Sequence, residues 1–427
     1  MNFRFWIAAS LGMSLVLMVA PALPAAQPPS QSQATSPEAV YKTGLSQLAQ
    51  QDYQAAIDSF NQAIQANPTY AEAYFKRGVA FAALDNDRAA LADFDRALEL
   101  APTAELYFYR GVAYYELEQP LEALADFDQA IQLNPEIAAA HFYRGLIQYE
   151  AGDLMDAVAA FSQAIELDRR YGTAYLNRGG AYYVIGNWQS ALADFDRAIA
   201  EMPKSAAAYY NRGFLYASIG LPDLALQDFD QSVALNPTND AAYVGRGLSH
   251  GALQAPMAAL ADFDMAIQLN PENAAAYQAR GDLHQQMGNL NRAIADYSQA
   301  IALQPDHFAA YQRRGDAFAD MGAFDRAIED YSAALAIDPN NATILNQRGK
   351  VRAESGDLAG AKQDYSQAIQ SDALNADAYY QRGLVMARMG DQEGSQADLQ
   401  RAAELYLQQG SGEGYRQVLA EMQSMQP

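Results

Sequence analysis

The sequence predicts an all-α chain, an α-solenoid of eleven tandem helix hairpins followed by a C-terminal capping helix. A glycine recurs every 34 residues, with a single interval of 33. A small residue follows each glycine after twelve positions and another after nineteen. Between the glycines, apolar residues recur three or four apart, which is helical spacing. Self-similarity at a fixed period of this length indicates stacked repeats rather than separate globular domains.

The glycine column marks the repeats and places two helices in each. Its members are Gly44, Gly78, Gly111, Gly145, Gly179, Gly213, Gly247, Gly281, Gly315, Gly349 and Gly383. In the third unit, one apolar stripe contains Tyr107 and Gly111, and a second contains Ala123 and Phe127. The stretch Glu118-Gln119-Pro120 separates them, and proline is well tolerated in the first turn of a helix. Each unit is therefore predicted to be a helical hairpin.

The order of aromatic, glycine, aromatic, alanine, aromatic, alanine and proline in a 34-residue unit resembles the tetratricopeptide repeat (TPR) family. The resemblance covers residues 37–409. It implies a right-handed superhelix in which the first helices of successive units line a concave surface. Residues 410–427 are predicted to form the capping helix, because Tyr415, Val418 and Met422 fall on one helix face and can cover the last repeat.

The N-terminus differs in character from the repeats. Residues 1–26 are predicted to be a secretory signal peptide, since Arg4 precedes a fourteen-residue apolar run and Ala20-Pro21-Ala22 offers a cleavage site. The run is shorter than the ~20 residues of a spanning helix, so we favour cleavage over retention as an anchor. Residues 27–36 are rich in Pro, Gln and Ser and are interpreted as a flexible linker. An exported bacterial chain is expected, in the periplasm, in the thylakoid lumen or secreted, with no membrane contact after cleavage.

Composition excludes several functions. The formal charge is −23, from 51 acidic and 28 basic residues, and such a surface repels nucleic acid and anionic lipid. Cysteine is absent, which removes thiolate ligands and thiol nucleophiles. No catalytic sequence motif is present, so we expect no enzyme and no cofactor. His250 and His284 occupy one column of adjacent repeats, but no third ligand has suitable spacing, and packing is preferred to a metal site.

An arginine precedes nearly every glycine, and most units carry an aspartate before the aromatic residue of the second helix. Partly buried charges persist mainly when paired, so we predict structural ion pairs within each unit. The predicted pairs are Arg110 with Asp126, Arg178 with Asp194, and Arg212 with Asp228. Pairing with the preceding unit's aspartate is an alternative, and a charged ladder for a ligand is another. Pairing within units leaves one mismatch, because Arg144 faces Ala160.

The first helices of the N-terminal half carry aromatic residues beyond those needed to pack each hairpin. Surplus aromatic surface in a concave place is typical of a protein or peptide site. The predicted partner-binding residues are Tyr41, Phe75, Phe108, Tyr109, Tyr115, Phe142, Tyr143, Tyr149, Asn177, Tyr183, Tyr210 and Asn211. For any single ring, packing against the next repeat is the alternative. Repeats eight to ten are polar on the corresponding face, as Gln278, Asp282 and Asp316 illustrate.

The sequence therefore predicts a protein–protein interaction scaffold that holds a partner segment in its concave groove. The alternative is a structural or assembly factor that docks through its convex face or its ends in an envelope, pilus or photosynthetic-membrane complex. A third possibility is an enzyme subunit or regulator, with the active site on a partner protein. The identity of the partner and the oligomeric state stay open.

Overall fold

The computed structural model describes residues 36–424, and every regular element in that range is an α-helix. The predicted signal peptide and nearly all of the predicted linker lie outside the described residues. The helices are α1 Pro37–Ala49, α2 Tyr53–Ala66, α3 Ala71–Ala82, α4 Asp87–Leu100, α5 Ala104–Glu116, α6 Pro120–Leu133, α7 Ala138–Ala151, α8 Leu154–Leu167, α9 Gly172–Ile185, α10 Trp188–Glu201, α11 Ala206–Ser218, α12 Pro222–Leu235, α13 Asp240–Ala252, α14 Pro256–Leu269, α15 Ala274–Gln286, α16 Leu290–Leu303, α17 Phe308–Asp320, α18 Phe324–Ile337, α19 Ala342–Ser355, α20 Leu358–Ser371, α21 Ala376–Arg388, α22 Gln392–Gln408 and α23 Gly412–Ser424.

Two compact units divide the chain between Ile219 and Gly220. The first contains α1–α11 and the second α12–α23. In every repeat that lies within one unit, the first helix packs most extensively against the second helix of the same repeat. The second helix then packs against the first helix of the following repeat. The predicted all-α array of helix hairpins is therefore confirmed. Among residues 36–424, no helix is long and apolar enough to cross a membrane.

The glycine column sets the distance between the two helices of a hairpin. A methyl group added at Gly111 on α5 would lie 2.8 Å from Cε1 of Phe127 on α6. Phe127 has no exposed surface, and neither does Ala123 one turn before it. The edge of the buried ring therefore occupies the space of the absent side chain. The same contact recurs in the second unit, where Gly247 on α13 meets Phe263 on α14.

The turn inside each hairpin places one residue in the left-handed region. Glycine holds this position in repeats four and five, with φ of 87° at both Gly152 and Gly186. Repeat three uses Glu118 there, with φ of 57°. Asn187 then caps α10, since its Oδ1 accepts a hydrogen bond from the Ser190 N–H at 3.2 Å. Asp153 occupies the equivalent position in repeat four, but its side chain makes no such bond to α8.

The last helix lies against the end of the second unit. Helix α23 packs on α22, and Val418 on α23 is fully buried. Tyr415 and Met422, on the same face, contact a cluster that contains Leu399 and Leu405. The apolar face of the final hairpin is covered in this way.

Two glycines on α13 provide a matched test of the close helix approach. A methyl group at position 247 would meet the Phe263 ring at 2.6 Å, whereas one at position 251 would meet nothing within 4 Å. We expect Gly247→Ala to destabilise the protein by about 1–3 kcal/mol, because the ring must move in a packed core. Gly251→Ala should stabilise it by up to about 1 kcal/mol through helix propensity. Urea unfolding followed by circular dichroism measures both, and equal effects would contradict the role given to Gly247.

Candidate functional site

Most arginines that precede the repeat glycine join the two helices of their own hairpin, and repeat three shows how. Arg110 lies on α5 and Asp126 on α6. The arginine Nε donates to Asp126 Oδ2 and its Nη2 donates to Oδ1, both at 2.7 Å. The Asp126 side chain is only 6% exposed, and its hydrogen bonds raise the pKa of Arg110. Arg178 and Asp194 form the same fork, which is the pair of hydrogen bonds from Nε and Nη2 to one carboxylate, with both distances 2.8 Å.

The same arginines also reach the preceding repeat. Arg110 Nη1 donates to Asp95 Oδ1 at 2.7 Å, and Asp95 lies on α4, the second helix of repeat two. In repeat five, Arg178 Nη1 donates to the Ser162 hydroxyl of α8 at 2.9 Å. One guanidinium therefore bridges three helices that belong to two successive repeats. We call this arrangement the arginine bridge.

The preceding-repeat partners form a column of short polar side chains. They are Asn61, Asp95, Asp128, Ser162, Asp196, Asp230, Asp264, Ser298, Ser332 and Ser366. Sequence reasoning missed this column because it considered only the buried aspartate of the preceding unit. The signal was available, since each partner follows the second-helix aromatic residue directly, as in Asp-Phe-Asp and Asp-Tyr-Ser. Arg212 and Asp228 belong to the same repeat, but Arg212 lies in the first compact unit and Asp228 in the second. Their predicted pairing stays a prediction.

Aromatic rings flank the arginine bridge on its own helix. The Arg110 guanidinium carbon lies 5.7 Å from the ring centroids of both Tyr107 and Tyr114. These residues stand three positions before and four positions after the arginine, so they share its helix face. Each such cation–π contact contributes on the order of 0.5–1 kcal/mol. The tyrosines of these positions therefore stabilise the bridge and are not available as surplus binding surface.

Repeat four departs from the arginine bridge. Ala160 stands where the buried aspartate is expected, and Arg144 keeps only a 3.5 Å bond from Nη1 to Asp128 Oδ1. Its Nε is buried without a hydrogen-bond partner. His141, one turn earlier, is buried and its Nε2 lies 3.0 Å from the Pro135 carbonyl oxygen. Burial lowers the pKa of His141, and the charge of Arg144 lowers it further.

The twelve predicted partner-binding residues separate into two groups. Four are buried and pack inside the array rather than facing a partner: Phe75, Phe142, Tyr149 and Asn211. Eight are partly exposed: Tyr41, Phe108, Tyr109, Tyr115, Tyr143, Asn177, Tyr183 and Tyr210. Sequence reasoning overestimated the surface for a physical reason. The first helices of successive repeats contact one another, as α3 contacts α5 and α7 contacts α9, and some rings fill that seam.

A continuous row of rings crosses repeats two to four on the first-helix side. Phe75 meets Tyr109 at 5.3 Å between centroids, and Phe108 meets Tyr143 at 6.0 Å, both nearly edge-to-face. Tyr115 joins the row 5.6 Å from Tyr143. Burial raises the pKa of Tyr143 to about 12, with a smaller contribution from Glu116. These rings hold one another in place, and their outer edges form a rigid apolar surface. We call Phe108, Tyr109, Tyr115 and Tyr143 the aromatic row, and we include Tyr183, which occupies the position of Tyr115 in repeat five.

The two asparagines among the predicted partner-binding residues are either hydrogen-bonded within their helix or buried. The Asn177 amide donates to the Thr173 carbonyl oxygen at 2.8 Å within its own helix. Asn211 is 4% exposed, and its Oδ1 has no hydrogen-bond partner. Neither side chain offers a freely accessible amide on the surface of the first unit.

The first-helix face of the second unit is polar, and the buried rings contribute to it. Tyr297 and Tyr331 replace the phenylalanine of the earlier repeats. The Tyr297 hydroxyl donates to Asp282 at 2.8 Å, and the Tyr331 hydroxyl donates to Asp316 at 2.7 Å. Gln347 also donates to Asp316, at 2.9 Å. Sequence reasoning identified the polar face but not its supports, although the change from Phe to Tyr is visible in the sequence.

The described residues give no geometry for a metal centre. Within residues 36–424, no group of three or more His, Asp or Glu side chains is arranged to hold a metal ion. His250 Nε2 lies 3.8 Å from Asp262 Oδ2, beside the arginine bridge of repeat seven. His284 is buried, and burial lowers its pKa. Both histidines occupy the position four residues after an arginine, where five other repeats have an aromatic ring.

Comparison with known sequences assigns the family. Profiles described as "TPR repeat" match residues 36–85, 281–322, 315–356 and 349–390. Profiles described as "Tetratricopeptide repeat" match residues 71–103, 108–172, 147–206 and 206–239. The chain belongs to the tetratricopeptide repeat family, whose fold is generally that of a non-catalytic scaffold for protein–protein interaction. Among curated proteins, no sequence matches the chain.

Solved structures of similar proteins include other members of the family. A tetratricopeptide repeat protein from Parabacteroides merdae is 24% identical, with a TM-score of 0.48, and the match covers 58% of this chain and 98% of that one. YrrB, described as a TPR protein with an unusual peptide-binding site, is 27% identical, with a TM-score of 0.37 and coverage of 43% and 95%. Yeast Tom70 is 15% identical, with a TM-score of 0.46 and coverage of 91% and 96%.

The two carboxylates on Arg110 allow a test of the arginine bridge. The side chain of Asp126 is 6% exposed and that of Asp95 is 52% exposed, although both accept a hydrogen bond from Arg110 at 2.7 Å. We expect Asp126→Ala to cost about 2 kcal/mol or more, because it removes the buried counter-charge. Asp95→Ala should cost less than about 1 kcal/mol, because that pair is solvated. Denaturant unfolding of the two variants measures the difference, and equal losses would refute the bridge as described.

Proposed function

We propose that the protein is a scaffold that binds a partner protein through the aromatic row of its first unit. The observation that carries the proposal is the state of these rings. Tyr109, Tyr143 and Phe108 are fixed by edge-to-face contacts and yet remain partly exposed. Rigid aromatic side chains bind with little loss of conformational entropy, and they are enriched among residues that dominate binding energy. Since they need no rearrangement, the row is prepared for a ligand.

Charge around the row indicates the kind of segment that fits. Glu105, Glu116 and Glu150 are exposed on the helices that carry the rings. Glu150 accepts a hydrogen bond from the Tyr115 hydroxyl at 2.8 Å, and Lys76 lies 3.7 Å from Glu105. An acidic margin around an apolar row favours a segment with apolar anchors and basic residues beside them. We therefore propose a partner segment of mixed apolar and basic composition, in an extended or helical conformation.

Tyr115 and Tyr183 give the test with the least damage to the core. They occupy one column in repeats three and five, and their hydroxyls bond to Glu150 and Ser218 on the next first helix. The matched control is Trp188→Ser on α10, which removes an aromatic ring that is 51% exposed on a second helix. Peptides selected by display on the parent protein should lose about tenfold or more in affinity for the Tyr115→Ser, Tyr183→Ser variant. They should keep their affinity for Trp188→Ser, as measured by calorimetry.

Two results would overturn the proposal that a partner binds the aromatic row, provided that circular dichroism shows that the variants are folded. One is unchanged affinity in the tyrosine variant, and the other is equal loss in the tryptophan control. A crosslinked pull-down from native envelopes, with the same three proteins, extends the test to natural partners.

A second candidate function rests on apolar side chains that begin successive second helices. Leu121, Met155 and Trp188, at the starts of α6, α8 and α10, are 79%, 68% and 51% exposed. Exposed apolar patches often mark protein interaction sites. These side chains favour the alternative of a structural or assembly factor that docks through a face other than the groove. Partners lost with Leu121→Ser and Met155→Ser, and kept by the tyrosine variant, would support this alternative.

We also propose that the chain is exported across a bacterial membrane. The supporting observation is the three-part leader in residues 1–26, with its basic residue, apolar run and small residues near Ala22. When the full chain is expressed in a bacterial host, the mature protein should begin after Ala22 or Ala26. N-terminal sequencing of the envelope fraction measures this. A mature chain that retains Met1 and stays with the membrane would instead indicate an uncleaved anchor.

A further inference from the structure

Repeat four contains an arginine, Arg144, but lacks the aspartate that accepts two hydrogen bonds from the corresponding arginine in neighbouring repeats. In repeats three and five, the Nε and Nη2 of the arginine both bind a buried aspartate at 2.7–2.8 Å. In repeat four, the residue opposite Arg144 is Ala160, which is 1% exposed. The alanine side chain is a methyl group, whereas the aspartate side chain carries a carboxylate on the same carbon. The difference is one carbon and two oxygen atoms, which is the size of formate.

Unpartnered polar atoms collect around this position. Nine buried side-chain nitrogen or oxygen atoms of the described residues have no hydrogen-bond partner. Four of them lie on α7, at His141 Nδ1, Arg144 Nε, Gln148 Oε1 and Tyr149 Oη. The first three are spaced three and four residues apart, which places them on one helix face. Buried polar groups of this kind are normally satisfied, so their concentration on one face points to a group that is supplied from outside the chain.

The remaining contact of Arg144 does not satisfy its charge. Its Nη1 lies 3.5 Å from Asp128 Oδ1, whereas the corresponding bond of Arg110 measures 2.7 Å. The Asp128 side chain is 54% exposed, so solvent weakens the pair. Nor does Asp128 prevent a second anion on the same guanidinium. Arg110, Arg246 and Arg280 each hold an exposed aspartate on Nη1 together with a buried one on the Nε edge.

The surrounding groups favour an anion of one shape. The Nε–Nη2 edge of arginine presents two parallel donors that match a planar carboxylate. Burial lowers the pKa of His141, and its Nε2–H donates to the Pro135 carbonyl oxygen, so this proton is not offered to the anion. Rotating the Gln148 side-chain amide by 180° exchanges the positions of its oxygen and its NH2 group, so a hydrogen-bond donor replaces the acceptor. The Arg144 side chain is 26% exposed, but its Nε and Ala160 are enclosed, so an anion must enter from the exposed part of the guanidinium and shift the side chains that cover Nε.

We propose that repeat four binds a small free carboxylate, of the size of formate, against the Nε–Nη2 edge of Arg144 beside Ala160. The bound anion takes the place of the aspartate found in neighbouring repeats. The site is independent of the aromatic row and of any partner protein. Its consequence is that the arginine bridge of this repeat is completed by a solute, so the stability of the first unit depends on the concentration of that solute.

The test uses formate as the probe and chloride at equal ionic strength as the reference. A ligand of three heavy atoms is expected to bind with a Kd on the order of 1 mM or weaker. Formate should therefore raise the melting temperature of the mature protein by about 1–3 °C relative to chloride. Ala160→Asp supplies the carboxylate within the chain. This variant should melt higher than the parent in chloride and should lose the difference between formate and chloride.

A direct titration with 13C-formate, followed by NMR line width, gives a second measurement that does not depend on unfolding. Saturable broadening is expected with the parent protein. It should be absent with Ala160→Asp and about tenfold weaker with Arg144→Lys, which keeps the charge but removes the fork. Broadening or thermal stabilisation of equal size in all three proteins would overturn the proposal, because it would show general anion association. So would the absence of saturable binding to the parent.

Discussion

The structure depends on one electrostatic requirement, that an arginine held between packed helices must have its counter-charge fixed nearby. Arg110 meets this requirement with Asp126 of its own hairpin and Asp95 of the preceding one. A buried charge without a partner is costly, whereas a correctly paired one adds little net stability. The arginine therefore contributes more to specificity than to stability. Helices that shift by one residue lose both partners, so the bridge selects one register within a repeat and between repeats.

The aromatic chemistry of the site follows from this arrangement. The second-helix ring packs on the glycine column, with Gly111 admitting Phe127, and that close approach brings Asp126 within reach of Arg110. The rings on the first helix therefore fall into two groups. Tyr107 and Tyr114 lie over the guanidinium, while the aromatic row faces the neighbouring first helices and the solvent. A single helix thus carries both the structural face and the proposed binding face.

The sequence was sufficient for the hairpins, because the glycine and alanine columns recur in phase and encode a contact that tolerates few other residues. It was also sufficient to place Arg110 opposite Asp126. It was insufficient for the second partner of each arginine, since whether Asp95 faces solvent or a neighbouring repeat depends on how hairpins stack. The exposed aromatic surface of the first helices was overestimated for the same reason. Phe142 and Phe108 have similar sequence positions, yet one is buried and the other is not. Only the packing of successive repeats decides such cases.

The bridge also bears on how such a chain can change its length. Most repeats bring an arginine and an aspartate for themselves and a short polar residue for the repeat that follows. Duplication or loss of one such repeat therefore regenerates a complete junction, with no compensating mutation. The interval of 33 residues between Gly78 and Gly111 shows the tolerance of this scheme. Asp95 and Arg110 are 15 residues apart rather than the usual 16, and they still meet at 2.7 Å. The missing residue falls between hairpins, where a gene can gain or lose a codon without disturbing the inherited contacts.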